Sequence, residues 1–169
     1  MKEIDIKTLQ ENFFDAIGTE WMLVTAGQEE HFNLMTASWG GIGFLWNKPV
    51  AFVFIRPERY TYEFAERSEY ITLSFLGTSK DAREIYKICG NESGRNINKV
   101  EICGLETEII KGGVTYKQSR LTLVGRKIYA EAMKFDCFTD TALRDKYYGP
   151  KDAHHKQYIL EIVGAYIKE

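Results

Sequence analysis

The run Asn33-Leu34-Met35-Thr36-Ala37-Ser38-Trp39-Gly40-Gly41 sets small hydroxyl-bearing side chains at alternate positions of a β-leaning segment that runs into glycine. In a strand, Thr36 and Ser38 share one face, and Asn33, Met35, Ala37 and Trp39 the other. Small residues let a flat ligand approach the backbone, while free N–H groups and hydroxyls offer hydrogen bonds to its edge or to a phosphate. An ordinary strand and turn with one polar face fits the same pattern. Arg56-Pro57-Glu58-Arg59-Tyr60-Thr61 follows an apolar run, so a guanidinium, hydroxyls and helix N-terminal amides can converge on an anion. A surface ion pair beside a helix cap uses the same residues. Ser93-Gly94-Arg95-Asn96-Ile97-Asn98-Lys99 is polar, with a glycine and two cations, and reads equally as a solvated turn.

Other chemistries find little support. Gly41-Ile42-Gly43 lacks the third glycine of a dinucleotide fingerprint, and no nucleophile-elbow pattern occurs. Cys89, Cys103 and Cys137 have no close-pair spacing and, with His154 and His155, make no zinc pattern, so the thiols read as buried or idle and no metal is expected. The 22 basic residues are scattered among 24 acidic ones, for a net charge of −2, which argues against a nucleic-acid face. The longest uncharged run, His31–Asn47, is 17 residues, contains polar residues and three glycines, and falls short of the roughly 20 apolar residues of a membrane span. MKEIDIKTLQE is charged and unlike a signal peptide. At 169 residues and 44% hydrophobic, the chain reads as one cytoplasmic domain, 1–169, with a single core.

The elements that must position these residues are mostly strands. Ile6, Leu9, Phe13 and Ile17 predict an amphipathic helix over 5–18. Trp21–Ala26 and Phe32–Trp39 predict a hairpin about Gly27–Glu30, followed by a Gly40–Gly43 loop. Val50–Ile55 lacks alternation and reads as a strand buried on both faces, with Pro57 in the first turn of a helix through Tyr60, Phe64 and Ala65. Tyr70–Leu76 is a strand, and Ser79 caps a helix that Gly90 closes as the residue just past its end. A hairpin over 105–116, a long β-segment over 121–135 with a bulge or bend at Gly125, a helix over 139–148 broken by Gly149-Pro150, and a closing strand Tyr158–Ile167 complete the chain. Seven to nine strands with recurring hairpins favour an antiparallel barrel carrying a few helices over a doubly wound parallel sheet.

These segments together resemble a known family. Asn33–Gly41 resembles the flavin-binding strand and turn of the flavin reductase-like, flavoredoxin-type proteins. Trp46-Asn47-Lys48-Pro49 with Phe54–Thr61 resembles the next strand and phosphate-side turn, and Ser93-Gly94-Arg95 with Lys99 a third element. Gly104-Leu105-Glu106 and Tyr147-Tyr148-Gly149-Pro150-Lys151-Asp152, through His154 to Glu161-Ile162, resemble later landmarks. Asn96 stands where the family has an acid and Leu160 where glycine is common.

The resemblance implies a mainly β, Greek-key FMN-binding split barrel with peripheral helices, usually a homodimer with the flavin near the subunit interface. It implies that Thr36, Ala37, Ser38 and Trp39 line the flavin and that Asn33 bonds its ring system or ribityl chain. Arg56, Tyr60 and Thr61 would then flank the phosphate, with Ser93, Gly94, Arg95 and Lys99 on the polar side. Such a cofactor performs the redox chemistry, so no catalytic residue is required beyond an electrostatic role for Lys99. The expected activity is hydride acceptance from NAD(P)H, with electrons passed to a flavin, a metal chelate or a redox partner. A non-catalytic FMN electron carrier fits the same pocket. A split barrel for another flat ligand such as haem is disfavoured because no histidine lies in the small-residue strand.

Overall fold

A computed structural model describes residues 1–149 and 154–169; Pro150, Lys151 and Asp152 of the landmarks above lie outside the described residues. Ten strands occur among them: β1 Lys2–Ile4, β2 Met22–Gln28, β3 His31–Ala37, β4 Gly40–Leu45, β5 Lys48–Ile55, β6 Tyr70–Phe75, β7 Thr107–Ile110, β8 Gly113–Tyr116, β9 Leu121–Ala132 and β10 Lys156–Ile167. One antiparallel sheet runs in the order β3-β2-β6-β9-β10-β5-β4, with β1 also on β10, and β7-β8 is a separate hairpin. Met22 and Val24, Met35, Val53, Ile71 and Leu73, Leu121 and Leu123, and Leu160 are all buried in one cluster. The sheet wraps around this cluster, and two smaller buried clusters lie outside it, one joining Leu23 and Leu34 to Tyr86 and Tyr116, the other around Ile110, Val124 and Tyr166. Its end strands β3 and β4 are consecutive in the chain yet unpaired with each other, so the barrel is split between them.

The helices are α1 Phe13–Asp15, α2 Tyr60–Arg67, α3 Lys80–Asn91, α4 Lys99–Ile102 and α5 Thr141–Tyr147. The expected helix over 5–18 is instead a 3₁₀ turn Ile6–Thr8, α1, and a π-type turn Ala16–Glu20. Asp5 and Asn12 each cap their own turn, accepting from the N–H of Lys7 at 2.9 Å and of Phe14 at 3.2 Å. Local side-chain to backbone bonds thus outcompete one continuous helix.

The Gly40–Gly43 loop is likewise a strand, paired with Val50–Val53. Trp46 (φ 50°) and Asn47 (φ 57°) are both left-handed, giving the primed type of turn that suits a two-residue hairpin. The Phe52 ring lies over Gly41 and Gly43, filling the space their side chains leave. In β5 itself Phe52 and Phe54 are only half-buried, so one face is buried more deeply than the other. Pro57 sits in a turn before α2, which starts at Tyr60 after Arg59. Gly90 lies inside α3 rather than beyond it, and Glu92 closes that helix; Gly90 packs against Thr36, whose Cβ lies 3.5 Å from where a side chain would start. The bulge expected at Gly125 falls opposite it, at Val163 between Ile162 and Gly164. A Cβ on Gly125 would come within 2.6 Å of the Leu160 Cβ, so the glycine serves the close approach of β9 to β10.

Polar groups knit the layers. The buried Glu20 carboxylate accepts from the Arg120 Nε at 3.0 Å and the Gly77 N–H at 2.5 Å, while Arg120 also reaches Glu11 at 2.6 Å. Between the main sheet and the β7-β8 hairpin, hydroxyls pair with hydroxyls. Thr25 meets Tyr116 at 2.9 Å, Ser74 meets Thr115 at 2.9 Å, and Thr115 meets Thr122 at 2.6 Å. Among the described residues no buried side-chain nitrogen or oxygen lacks a partner.

Candidate functional site

As an end strand, β3 pairs only with β2, leaving backbone donors and acceptors on its other side without a strand partner. A cleft of about 230 Å³ lies along its C-terminal half, lined by Met35, Thr36, Ala37, Ser38 and Trp39. Phe54, Arg56, Arg59, Gly90 and His155 complete the lining. Five of the sequence-predicted residues, Thr36, Ala37, Ser38, Trp39 and Arg56, are therefore together. The Thr36 hydroxyl donates to the Tyr86 carbonyl at 2.6 Å, which ties the strand to α3.

Arg56 directly follows β5 and donates through Nη2 to the Tyr147 carbonyl at 2.8 Å, with Glu58 3.9 Å away and the Tyr148 ring 5.4 Å from its guanidinium carbon. Tyr147 meets Trp39 edge-on at 5.2 Å between centroids. The C-terminal end of α5 thus covers one side of the cleft. Arg59 reaches the Cys89 carbonyl at 3.5 Å, and burial opposes its charge.

The remaining predicted residues lie elsewhere. Asn33, Tyr60, Gly94, Arg95 and Lys99 line a second cavity of about 580 Å³. The Asn33 amide oxygen accepts from the Thr61 hydroxyl at 2.7 Å and the Thr61 N–H at 3.1 Å, so it caps the start of α2. Thr61 is buried and lines neither cavity. Gly94 packs on the Asn33 amide, where a Cβ would meet the amide tip at 1.9 Å. Ser93 lines neither cavity and accepts from the Arg95 N–H at 3.2 Å, a turn-forming bond. Arg95 pairs with Glu63 and lies over Tyr60, 4.6 Å from the ring centroid.

The ammonium of buried Lys99 donates to the carbonyls of Leu34 at 2.9 Å and Cys89 at 3.0 Å. It pins β3 to the last turn of α3. Burial pushes its pKa down to about 8.

Sequence reasoning missed Phe54, Arg59, Gly90 and His155. Arg59 stood within the motif already singled out. His155 was findable from pairing: Lys156 opposes Ile55, so the preceding residue of β10 falls beside Arg56. Its Nδ1 lies 2.7 Å from the Tyr148 hydroxyl, and its ring centroid 5.3 Å from that of Trp39. Burial, then the Arg56 charge, push its pKa down to about 4. An unfolded histidine takes up its proton near its ordinary value of about 6.5. Folded stability is therefore full above that pH and is lost as pH falls toward about 4. Melting curves should show a loss of at most about 2 kcal/mol between about pH 6.5 and 5, before carboxylates titrate. His155→Gln should flatten that window, and an unchanged slope would assign the loss to other groups.

Cys89 and Cys103, without close-pair spacing in sequence and expected to be buried or idle, lie with sulfurs 3.9 Å apart. Among the described residues no group of three metal-ligating side chains gathers, and no helix is long and apolar enough to cross a membrane.

The architecture is an antiparallel split barrel with a cleft along its end strand β3, lined by small residues and two arginines. Residues 14–169 match the profile of the flavin reductase like domain. The chain belongs to that family. Comparison with curated proteins finds no match. Among solved structures, flavoredoxin from Methanosarcina acetivorans superposes with TM-score 0.67 at 20% identity, covering 89% of this chain and 69% of that one. Flavoredoxin of Desulfovibrio vulgaris (Miyazaki F) gives 0.67 at 21%, covering 89% and 70%. An FMN-binding protein from Thermus thermophilus, with bound 1-cyclohex-2-enone, gives 0.67 at 16%, covering 99% and 81%. At these identities the likeness concerns the fold, which is the split barrel expected from the sequence.

Proposed function

We propose that the chain binds FMN in the cleft along β3 and acts as a cytoplasmic NAD(P)H-dependent oxidoreductase, passing electrons to a flavin, a metal chelate or a redox partner. The observation that carries this reading is the convergence of Arg56 and Arg59 with the small residues Ala37, Ser38 and Gly90 in one cleft of a flavin reductase-like chain. The residues suit the group. Paired guanidiniums match a phosphate, and an unpaired strand edge of small residues suits the rim of a flat heterocycle. Arg56 and Arg59 would hold the phosphate, with Thr36, Ala37 and Ser38 along the ring system and Trp39 shielding one side. When bound, FMN supplies the hydride and electron chemistry. The protein's part is to hold and orient the group and to exclude water.

A second copy of the chain completes this reading as a homodimer. The split edge exposes Phe44 (69%) and Trp46 (57%), and Phe14 (92%) lines a crevice of about 610 Å³ with Trp39, Gly40 and Gly41. Large exposed aromatics beside an unpaired strand are the composition of an interface core.

The absorbance spectrum of freshly purified protein, with identification of the released cofactor, tests the ligand. A yellow protein releasing FMN supports the reading. A haem spectrum would overturn it, and His155 makes that control necessary because it brings an imidazole to the cleft that β3 lacks. Steady-state NADH and NADPH oxidation with free flavins and quinones tests the activity. FMN without turnover would identify an electron carrier.

A further inference from the structure

Cys89 lies in the last turn of α3, fully buried, and Cys103 caps α4 at a half-buried position. Fourteen positions separate them in sequence, and their sulfurs are 3.9 Å apart. A disulfide requires about 2.05 Å, so closure needs roughly 2 Å of movement, within reach of side-chain rotation and a small shift of one short helix. The segment between them is the Ser93–Asn98 loop, whose Gly94 packs on Asn33 and whose Arg95 covers Tyr60. Gly90, next to Cys89, lines the cofactor cleft. Lys99 already ties the Cys89 carbonyl to β3.

We propose that Cys89 and Cys103 are a modification site, forming a reversible intrachain disulfide that clasps the Ser93–Asn98 loop at both feet. The oxidant is a low-molecular-weight disulfide, here oxidised glutathione. Cys103, the more exposed thiol, attacks first as its thiolate. A mixed disulfide forms, and one glutathione leaves, taking the proton that Cys103 gave up. The Cys89 thiolate then attacks the Cys103 sulfur and expels the second glutathione, which takes the Cys89 proton. Two protein thiols are oxidised and one oxidised glutathione is reduced to two thiols. Burial holds both cysteines above their ordinary pKa values, Cys89 at about 12, so little thiolate is present and exchange is slow.

The test treats the purified full chain, with whatever cofactor it carries, with oxidised glutathione. Free thiols should fall from three to one and return with dithiothreitol. A non-reducing tryptic map should join the peptide Ile88–Arg95 to Val100–Lys111. Cys137→Ser should still lose two thiols, now to none. A glutathione adduct on Cys103 that Cys89 never displaces, a bridge that includes Cys137, or an unchanged thiol count would each overturn the proposal. None of these readouts depends on flavin, so the FMN reading can fail while this one stands.

Discussion

Alanine in place of Arg56 is expected to weaken FMN about 10–100-fold while leaving riboflavin within about threefold, the loss of a charge-assisted phosphate contact of about 1.5–3 kcal/mol. The guanidinium is half-buried, and one nitrogen is committed to the Tyr147 carbonyl. Its Nη1 lies 3.9 Å from Glu58, and the side chain lines the cleft together with Arg59. Because Arg56 also anchors the end of α5, Arg56→Lys is the useful companion, restoring charge without the planar fork. It should recover part of the phosphate-dependent affinity. Titration of both flavins into apoprotein, followed by fluorescence, makes the measurement. Equal losses for FMN and riboflavin would show that Arg56 only supports α5. A phosphate-selective loss in Arg95→Ala, with none in Arg56→Ala, would move the cofactor to the second cavity.

Glu20→Ala should destabilise the fold by about 2–4 kcal/mol, through an orphaned amide and a broken ion pair. The carboxylate is nearly inaccessible, and it collects the Arg120 guanidinium and the Gly77 N–H from two different connections. Its own carbonyl accepts from Arg83 at 3.1 Å. Arg120 is partly exposed and keeps Glu11, which moderates the loss. Chemical denaturation with an unchanged denaturant slope checks the value. A loss below about 0.5 kcal/mol would reduce this network to an ordinary surface pair.

Much of the barrel was legible because its strands obey local rules. The apolar runs around Val24, Val53 and Leu73, punctuated by turns, declare strands whatever their partners. What misled was glycine read without its neighbour. Gly40, Gly41 and Gly43 look like a loop until Phe52 is laid across the strand, and Gly90 looks like a helix end although the helix runs on through it to Asn91. The candidate site divided for a related reason. Asn33 and Thr36 lie on opposite faces of one strand, and each is bonded to another element, Asn33 to Thr61 at the start of α2 and Thr36 to the Tyr86 carbonyl of α3, but only Thr36 lines the cleft. Sequence spacing places residues on a strand, but a buried partner from another element decides which remain available. His155 and Arg56 show the converse, since ninety-nine positions of chain separate two residues that strand pairing sets side by side.

The hydroxyl contacts under the β7-β8 hairpin carry a consequence of their own. Thr25, Ser74, Thr115 and Thr122 find partners only when β8 docks in one alignment. An apolar underside would tolerate sliding by a residue, because oil-like contacts discriminate poorly between neighbouring positions. Here any slip strands several hydroxyls away from water, at roughly 1–3 kcal/mol each. The hairpin is therefore keyed rather than merely stuck: the hydroxyls specify one alignment of β8 against the sheet.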